Sequence, residues 1–259
     1  MCTLAFYFQA FSHYPLVAAA NRDESLNRPS AAPHQLWSDP WIYGGQDLLA
    51  SGTWLGVNAH GMLAAVLNRH TGQGADPTRR SRGLLCLDAL KYASIDHALA
   101  FVTAQPAAAY NPFNLLIADA TAAYVIYAHP TRLEIQSLSP GFHFLTNYNL
   151  DDPQCPRTKR SRTHFADLVP HHAVAQPQFS DICAQLHPLL AAHAPDPDPR
   201  ASVCIHLDGY GTCSSTLLAY SQVEQRFHYT FAPGSPCRNT YSDVVMPPGA
   251  WASQPPSTV

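Results

Sequence analysis

The sequence predicts a single α+β domain, a layered sandwich in which antiparallel sheet is covered by helices. Segments typical of strands and of helices alternate in blocks, in the order strands, helices, strands, helices, strands. The chain has 259 residues, of which 46% are hydrophobic, and this is enough for one large core. Because we find neither an internal repeat nor a linker, we expect one domain over residues 1–245 and a poorly ordered tail over 246–259.

The first half of the chain supplies most of the predicted sheet. Apolar runs over 2–9 and 14–20 predict two neighbouring strands. The second run leads into Asn21-Arg22-Asp23-Glu24, and we expect this polar group to lie at the end of the strand, at a sheet edge or the mouth of a site. After a Pro-rich stretch, segments 53–58 and 62–68 predict a hairpin.

Serines mark the predicted helix starts that follow. Ser81 precedes a run with helical spacing of leucines, and Ser94 precedes a second helix that ends before Pro106. Further strands are predicted at 113–118, 122–128, 132–137, 142–146, 202–207, 214–220 and 225–231. Two more helices are predicted near 161–169 and 180–193, and the basic segment 157–162 is typical of a solvated helix start.

Cys2 is the strongest functional signal in the sequence. Methionine is normally removed before a side chain as small as that of Cys, so we expect a mature chain that begins at Cys2. An α-amine with a pKa near ~7.7–8.0 and a thiol with a pKa near ~8.5 would then sit on one residue. The neutral amine can take the thiol proton, which is the logic of a nucleophile that carries its own base.

Composition excludes several classes of function. A net charge of −3 with 15 Lys and Arg residues argues against a nucleic-acid surface. No apolar stretch reaches the ~20 residues that a membrane span needs, and no signal peptide precedes the first strand, so we expect a soluble, cytoplasmic protein. The seven cysteines form no Cys-x-x-Cys pair, and no two histidines have the spacing of a helical metal site, so no metal site is predicted.

Short motifs along nearly the whole chain resemble those of one protein family. They are Met1-Cys2, Asn21-Arg22-Asp23-Glu24 with Asn27-Arg28-Pro29, Gly44-Gly45-Gln46-Asp47, Gly52-Thr53-Trp54-Leu55-Gly56, Leu67-Asn68-Arg69, Ser81-Arg82-Gly83, Tyr110-Asn111-Pro112-Phe113-Asn114, Leu145-Thr146-Asn147 and Tyr210-Gly211-Thr212. In order and spacing this set resembles the NRDE family, also called the transport and Golgi organization protein 2 family. The resemblance implies an N-terminal nucleophile hydrolase-like fold, a four-layer αββα sandwich.

The bile-salt and penicillin-V amidases resemble this family in fold, and the resemblance to them implies roles for individual residues. Cys2 matches the nucleophile and Asp23 the carboxylate near the α-amine. Asn68 matches an oxyanion-hole asparagine, and Asn147 matches a second structural or oxyanion asparagine. The structural alternative for both asparagines is a residue that satisfies its own backbone at a strand end.

Three further residues are predicted to contact a substrate. Arg22 is a candidate for the early arginine of the amidases and is expected to lower the pKa of the Cys2 thiol. Glu24 belongs to the same polar group. Trp54 either fills the core or forms a wall of the pocket. The sequence departs from the family after Tyr-Gly-Thr, where Cys213 stands in place of the usual arginine. Loss of that cation would weaken activation of the nucleophile without affecting the fold.

Two functions remain open at the level of sequence. The first is an N-terminal cysteine amidohydrolase that acts on a small non-peptide amide or an acyl thioester and needs no cofactor. The second is a non-catalytic protein that traffics haem, or binds acyl-CoA or lipid, in the same pocket. Both predict a small-molecule ligand rather than a nucleic acid or a membrane span, and fold does not decide between them.

Overall fold

The computed structural model describes residues 2–72, 74–169, 177–194, 198 and 201–246. Its strands form two antiparallel sheets of seven strands each. The first sheet consists of β1 (Thr3–Phe8), β2 (Leu16–Ser25), β10 (Gly141–Leu145), β11 (His206–Leu207), β12 (Tyr210–Ser221), β13 (Arg226–Ala232) and β14 (Ser242–Asp243). The second consists of β3 (Ser30–Ser38), β4 (Trp41–Asp47), β5 (Leu55–Asn58), β6 (Leu63–Asn68), β7 (Phe113–Ala118), β8 (Ala123–Ala128) and β9 (Leu133–Ser137).

The strand orders differ in how they follow the sequence. The first sheet runs β10-β1-β2-β12-β13-β14, with β11 paired to β12, so the N-terminal strands lie between late ones. The second sheet is a meander from β3 to β9 in chain order. The central position of β1 holds the start of the chain inside the protein rather than leaving it to fray.

Among the residues that the structure describes, helices cover the outer face of each sheet. The helices are α1 (Arg82–Ala89), α2 (Ile95–Thr103), α3 (Pro156–Ala166) and α4 (Phe179–Leu190), and a 3₁₀ turn spans Ala107–Ala109. The predicted serine caps are confirmed, since the Ser81 hydroxyl accepts from the Leu84 amide and the Ser94 hydroxyl from the His97 amide.

Side-chain alternation along the strands produces three cores. Phe6 and Phe8 of β1 point into the core between the sheets, whereas Tyr7 points into the core under α3 and α4. A third core joins α1 and α2 to the second sheet, for example through Leu85 and Leu115. The layers therefore follow the order αββα, which confirms the fold predicted from the sequence. Within the described residues, no helix combines the length and hydropathy of a membrane span.

Several element boundaries differ from those predicted, and the strand predicted at 202–207 is reduced to β11. Strand β2 continues through Asn21-Arg22-Asp23-Glu24 to Ser25, because β12 pairs with this whole stretch. The Pro-rich segment forms β3, an edge strand whose exposed polar residues hide its strand character in the sequence. Helix α3 begins at Pro156, so the basic segment lies within it. Of the predicted tail 246–259, all but Met246 lies outside the described residues.

Candidate active site

Cys2 lies at the N-terminal end of β1, half-buried against the core between the sheets. Its Sγ donates to the carbonyl oxygen of Asp23 on the neighbouring strand at 3.6 Å. The register of β1 with β2 pairs Thr3 with Asn21, so one further step along both strands brings Cys2 beside Arg22. The thiol is thus held at a fixed place in the sheet rather than on a free terminus.

The four polar residues of β2 point alternately to opposite faces of the first sheet. Asn21 and Asp23 are buried on the face covered by α3 and α4, and Arg22 and Glu24 line a cavity on the other face. Because successive side chains of a strand alternate, a polar group inside the strand serves two separate environments. The sequence-based expectation that all four lie together beyond the strand is therefore wrong.

On the helix face, Asp23 is held in a fully buried ion pair. Its Oδ2 accepts from Arg157 of α3 at 2.9 Å, with both side chains 0% exposed, and its Oδ1 accepts from Thr212 at 2.7 Å. Arg157 also donates to the hydroxyl of Thr3 at 2.6 Å, directly beside Cys2. The sequence predicted a solvated helix start here. The buried guanidinium corrects that prediction and places a cation next to the predicted site carboxylate.

On the same face, Asn21 ties three other segments to β2. Its Nδ2 donates to the carbonyl oxygens of Leu190 at 2.9 Å and Val203 at 3.0 Å, and its Oδ1 accepts from Ser215 at 2.6 Å. Every polar atom of this amide is used in structural hydrogen bonds. Asn21 therefore anchors the helix layer and is not available to a ligand.

The cavity between the ends of the two sheets has a volume of about 350 Å³. Its walls come from the ends of β2, β4 and β6, and from the segment that leads into α1. The predicted site residues that line it are Cys2, Arg22, Glu24, Trp54 and Asn68. Asp23 lies behind this wall, on the opposite face of β2.

Arg22 is a charged residue beside Cys2. Its Nη2 lies 3.2 Å from Asp47, which also pairs with Arg28 at 2.6 Å, and its guanidinium stacks 4.5 Å from the centre of the Trp54 ring. Its Nη1 is buried and has no hydrogen-bond partner among the described residues. Although burial alone would raise the pKa of Asp47, the hydrogen bond from Arg28 holds that pKa below its usual value. Within the described residues, the cavity wall thus keeps a buried guanidinium donor of Arg22 without a partner next to Cys2.

The cavity lining is predominantly cationic. Five arginines and three carboxylates line it, namely Arg22, Arg28, Arg79, Arg80 and Arg82 against Glu24, Asp47 and Asp76. Arg82 forms no ion pair within the described part of the chain, and its Nη1 donates to the carbonyl oxygen of Pro112 at 3.2 Å. Burial lowers the pKa of Arg82 from its ordinary value, against an opposing effect of Glu24. A group this deep without a carboxylate partner is suited to an anionic ligand.

One wall of the cavity is made by direct contact of two main chains. The amide of Thr53 donates to the carbonyl oxygen of Gly83 at 3.1 Å, where α1 begins. A Cβ at Gly52 would lie 2.2 Å from the carbonyl carbon of Gly83, a separation that real Cβ atoms do not adopt. The absence of a side chain at Gly52 therefore permits this close approach of two backbones.

The two predicted asparagines lie on neighbouring segments. Asn68 ends β6, and the amide of His70, two residues later, donates to the carbonyl oxygen of Asn147 at 2.8 Å. The β1–β10 register pairs Leu4 with Leu145, so Asn147 comes opposite Cys2 when the register is extended by two residues. Asn147 is not among the residues that line the cavity, yet its Oδ1 is buried without a partner in the described part of the chain. Of the two side chains, Asn68 lines the cavity that holds Cys2, and Asn147 does not.

The electrostatic surroundings of Cys2 favour the neutral thiol. Burial raises the pKa of the Cys2 thiol, and the negative charge of Asp23 adds to that rise. Arg22 lowers the same pKa but does not outweigh burial. Arg22 therefore acts in the expected direction, but burial leaves the pKa of the Cys2 thiol raised in the chain that begins with Met1, and any reaction at Cys2 needs a base.

Cys213 occupies a β-bulge where β12 pairs with β2. Its Sγ donates to the carbonyl oxygen of Glu24 at 3.4 Å, and burial raises the pKa of its thiol. Cys213 lines a neighbouring cavity of about 610 Å³ and is absent from the lining of the cavity that holds Cys2. The cation beside Asp23 comes from α3 instead, through Arg157.

Comparison with known sequences identifies relatives along most of the chain. The family model described as "Transport and Golgi organisation 2" matches residues 1–230. The chain is 30% identical to the human Transport and Golgi organization protein 2 homolog and 28% identical to the mouse homolog. In both cases the alignment covers 91% of this chain and 93% of the relative.

Comparison with solved structures finds the same fold at low sequence identity. An N-acylethanolamine-hydrolyzing acid amidase ortholog of Caenorhabditis elegans superimposes with a TM-score of 0.56 at 13% identity, covering 84% of this chain and 92% of that chain. Penicillin V acylase from Agrobacterium tumefaciens gives 0.58 at 11% identity, covering 90% and 83%. A variant of conjugated bile acid hydrolase from Clostridium perfringens gives 0.55 at 11% identity, covering 94% and 92%. These neighbours are N-terminal nucleophile hydrolases, which confirms the predicted fold type.

Proposed function

Because the chain belongs to the Transport and Golgi organisation 2 family and has the fold of N-terminal nucleophile hydrolases, we propose that it is a cysteine hydrolase once Met1 is removed. Its substrate would be a small non-peptide amide or an acyl thioester that carries a negative charge. One observation carries the proposal: Cys2 lines a cavity whose wall, as far as the chain is described, holds a buried Arg22 donor without a partner and four further arginines.

The proposed reaction begins at the Cys2 sulfur. Removal of Met1 frees the α-amine of Cys2, whose ordinary pKa of ~7.7–8.0 leaves much of it neutral near pH 7.5. The amine takes the thiol proton as Sγ attacks the acyl carbon, and it returns that proton to the departing amine or thiol. Water then hydrolyses the acyl-cysteine and releases the carboxylic acid.

Other residues would stabilise and orient this chemistry. Asn68 and a backbone amide would donate to the oxyanion that forms on the acyl oxygen, with Asn147 as the second candidate donor. The Arg157–Asp23 pair would hold β1 and β2 in register beneath Cys2, since it contacts both strands. Arg22 and Arg82 would bind the anionic group of the substrate, and Trp54 would form the apolar wall under it.

The positive charge of the cavity lining favours anionic substrates over neutral or cationic ones. Arg22 and Arg28 share a single carboxylate, and Arg82 has none within the described residues, so the lining retains positive charge that a ligand can neutralise. The three structural neighbours are named as an acid amidase, an acylase and a hydrolase of conjugated bile acids, all of which point to acyl transfer to water. An N-acyl amino acid or an acyl-CoA has both the acyl bond and the anion.

The alternative is a carrier that binds haem or acyl-CoA in this cavity without turnover. The observation on its side is the raised pKa of the Cys2 thiol, which burial causes. Of the described residues lining the cavity, Cys2 alone offers a soft axial ligand for haem iron. A carrier would need the pocket and its charge but would not need a reacting thiol.

The decisive experiment is acylation of the mature protein, with removal of Met1 verified by intact mass. It uses two matched pairs of probes, an N-acyl glycine with the corresponding N-acyl ethanolamine, and an acyl-CoA with the corresponding acyl N-acetylcysteamine. We expect an acyl adduct on Cys2 and release of free acid, faster with the anionic member of each pair. Cys2→Ala should reduce hydrolysis by at least about 10⁴-fold, as for loss of other enzyme nucleophiles.

Cys183→Ala is the matched control, because Cys183 is a half-buried thiol on α4, outside the cavity lining. It should retain activity. Turnover that survives Cys2→Ala, or a mature chain that keeps Met1, would exclude the mechanism. Haemin or acyl-CoA binding without turnover, equal in wild type and Cys2→Ala, would establish the carrier instead.

A further inference from the structure

Two cysteines and two histidines from three separate segments meet at the edge of the first sheet. His193 follows α4, Cys204 and His206 flank Ile205 at β11, and Cys237 lies between β13 and β14. One ligand atom from each of the four lies within 4.8 Å of all the others. The Nε2 atom of His206 is 3.1 Å from the Cys237 sulfur and 3.7 Å from the Cys204 sulfur, and the two sulfurs are 3.6 Å apart.

These separations match the edges of a tetrahedral metal site. Zinc binds thiolate sulfur at ~2.3 Å and imidazole nitrogen at ~2.0–2.1 Å, so a regular tetrahedron has S–S edges of about 3.8 Å and S–N edges of about 3.6 Å. The measured S–S distance and one S–N distance lie close to those values, and the other S–N distance is shorter. Three of the four donors thus have separations close to those of a tetrahedron, and the fourth donor, on His193, lies within 4.8 Å of each of them.

The outer contacts of the cluster also suit a metal. The Nδ1 atom of His193 lies 3.0 Å from the carbonyl oxygen of Cys204, so a proton on Nδ1 fixes the tautomer and leaves the Nε2 lone pair for a cation. Metal-bound histidines are typically held in this way by a carbonyl or carboxylate on the second nitrogen. Cys204 is buried and the two histidines are exposed, which gives an ion access from solvent.

We propose that His193, Cys204, His206 and Cys237 form a structural zinc site. A set of two thiolates and two imidazoles in tetrahedral arrangement favours Zn²⁺ over oxygen-seeking cations such as Mg²⁺ or Ca²⁺. All four positions are occupied by protein ligands, so the site is closed to substrate and acts on the fold. The proposal does not depend on the hydrolase reaction, because none of the four residues lines the cavity of Cys2.

The position of the site explains what a bound ion would stabilise. The Ile205 amide, between the two ligands Cys204 and His206, donates to the hydroxyl of Thr212 at 2.9 Å. Thr212 in turn donates to Asp23. Metal binding would therefore hold in place the segment that supports the buried carboxylate, and would fasten it to α4 and to the segment before β14.

The test uses the full-length protein, purified under reducing conditions, stripped of metal with a chelator and titrated with Co²⁺ and then Zn²⁺. We expect one ion per chain, sulfur-to-cobalt charge-transfer and d–d absorption bands of a tetrahedral site, and loss of these bands when Zn²⁺ is added. Elemental analysis of the protein as first purified should find close to one zinc per chain. The melting temperature should fall when zinc is removed and recover when it is returned.

Cys237→Ser and His206→Gln remove exposed ligands and should each abolish the cobalt bands, while Cys183→Ser, which changes a thiol outside the cluster, should keep them. Circular dichroism of the variants checks that they remain folded. The proposal fails if the fully reduced wild type binds no stoichiometric Co²⁺ or Zn²⁺, or if Cys237→Ser binds as well as wild type. It also fails if the purified protein holds a Cys204–Cys237 disulfide that the reductant does not open.

Discussion

The two faces of β2 differ in how far the polar side chains on them are hydrogen-bonded within the protein. On the helix face, every side-chain polar atom of Asn21 and both oxygens of Asp23 have protein partners. On the cavity face, Arg22 keeps a buried nitrogen without a partner in the described part of the chain, and Glu24 is partly open to solvent. A single tetrapeptide thus divides into a pair that is bonded within the protein and a pair that faces the cavity.

The difference teaches how to separate stability from function in this site. Groups whose hydrogen bonds are complete within the protein contribute to the free energy of unfolding, and their loss leaves buried partners unsatisfied. Groups with unused donors contribute little to folding and are suited to recognition. Substitutions on the helix face should therefore reduce stability, whereas substitutions around the cavity should change ligand binding.

The largest effect is expected for Arg157→Met, which removes the cation and approximately preserves the volume. Asp23 would remain as an uncompensated buried charge, and breaking such a pair costs about 3–5 kcal/mol of unfolding free energy. Arg160→Met on the exposed side of the same helix is the control and should change stability by less than about 0.5 kcal/mol. Urea unfolding of both variants measures the difference. Equal stabilities would contradict the division between the two faces.

A smaller loss of stability is expected for Asn21→Ala. The substitution leaves the carbonyl oxygens of Leu190 and Val203 and the hydroxyl of Ser215 without this partner, at a cost of about 1–3 kcal/mol. Glu24→Gln, on the other face of the same strand, should stay within about 0.5 kcal/mol of wild type. A thermal melt that ranks these two variants in the reverse order would show that the cavity face also supports the fold.

The smallest effect on stability is expected for Arg82→Gln. Arg82 has no carboxylate partner among the described residues and stands at the first turn of α1, where a cation is unfavourable, so unfolding should change by less than about 0.5 kcal/mol. The KM for an N-acyl glycine should rise by about tenfold or more, since a hydrogen bond to a charged group is lost. The neutral N-acyl ethanolamine should be unaffected. Arg132→Gln, an exposed change on the β8–β9 turn, is the control.

Many of the strands and helices around this site could be predicted from the sequence, because the sequence patterns that specify them are local. The small residue after Met1, the apolar run behind it and the hairpin that ends at Asn68 are each read from consecutive residues, and the Ser81 and Ser94 caps require one side chain and its own helix. The family resemblance then implied site roles for Asp23 and Asn147, which the structure places behind or outside the cavity lining. Local sequence signals thus predict the individual strands and helices, and the order of the family motifs predicts how they are arranged in the fold.

The parts that sequence did not reveal are non-local. The buried face of α3 consists of Arg157, Thr158, Ser161 and Phe165, so it has helical spacing but lacks the apolar character by which a buried face is recognised. Its polarity makes sense only opposite Asp23, 134 positions earlier in the chain. The His193–Cys237 cluster likewise draws on three segments whose spacing matches no local metal motif.

The contact of Gly52 with Gly83 limits which properties of the cavity can change by substitution. The positive charge of the cavity is carried by arginine side chains, so a substitution at one arginine changes that charge. Width at that wall is set by two main chains in contact, where any added side chain would displace the start of α1. Single substitutions can therefore change the charge of the cavity, whereas a wider cavity at this wall requires a change in the course of the backbone.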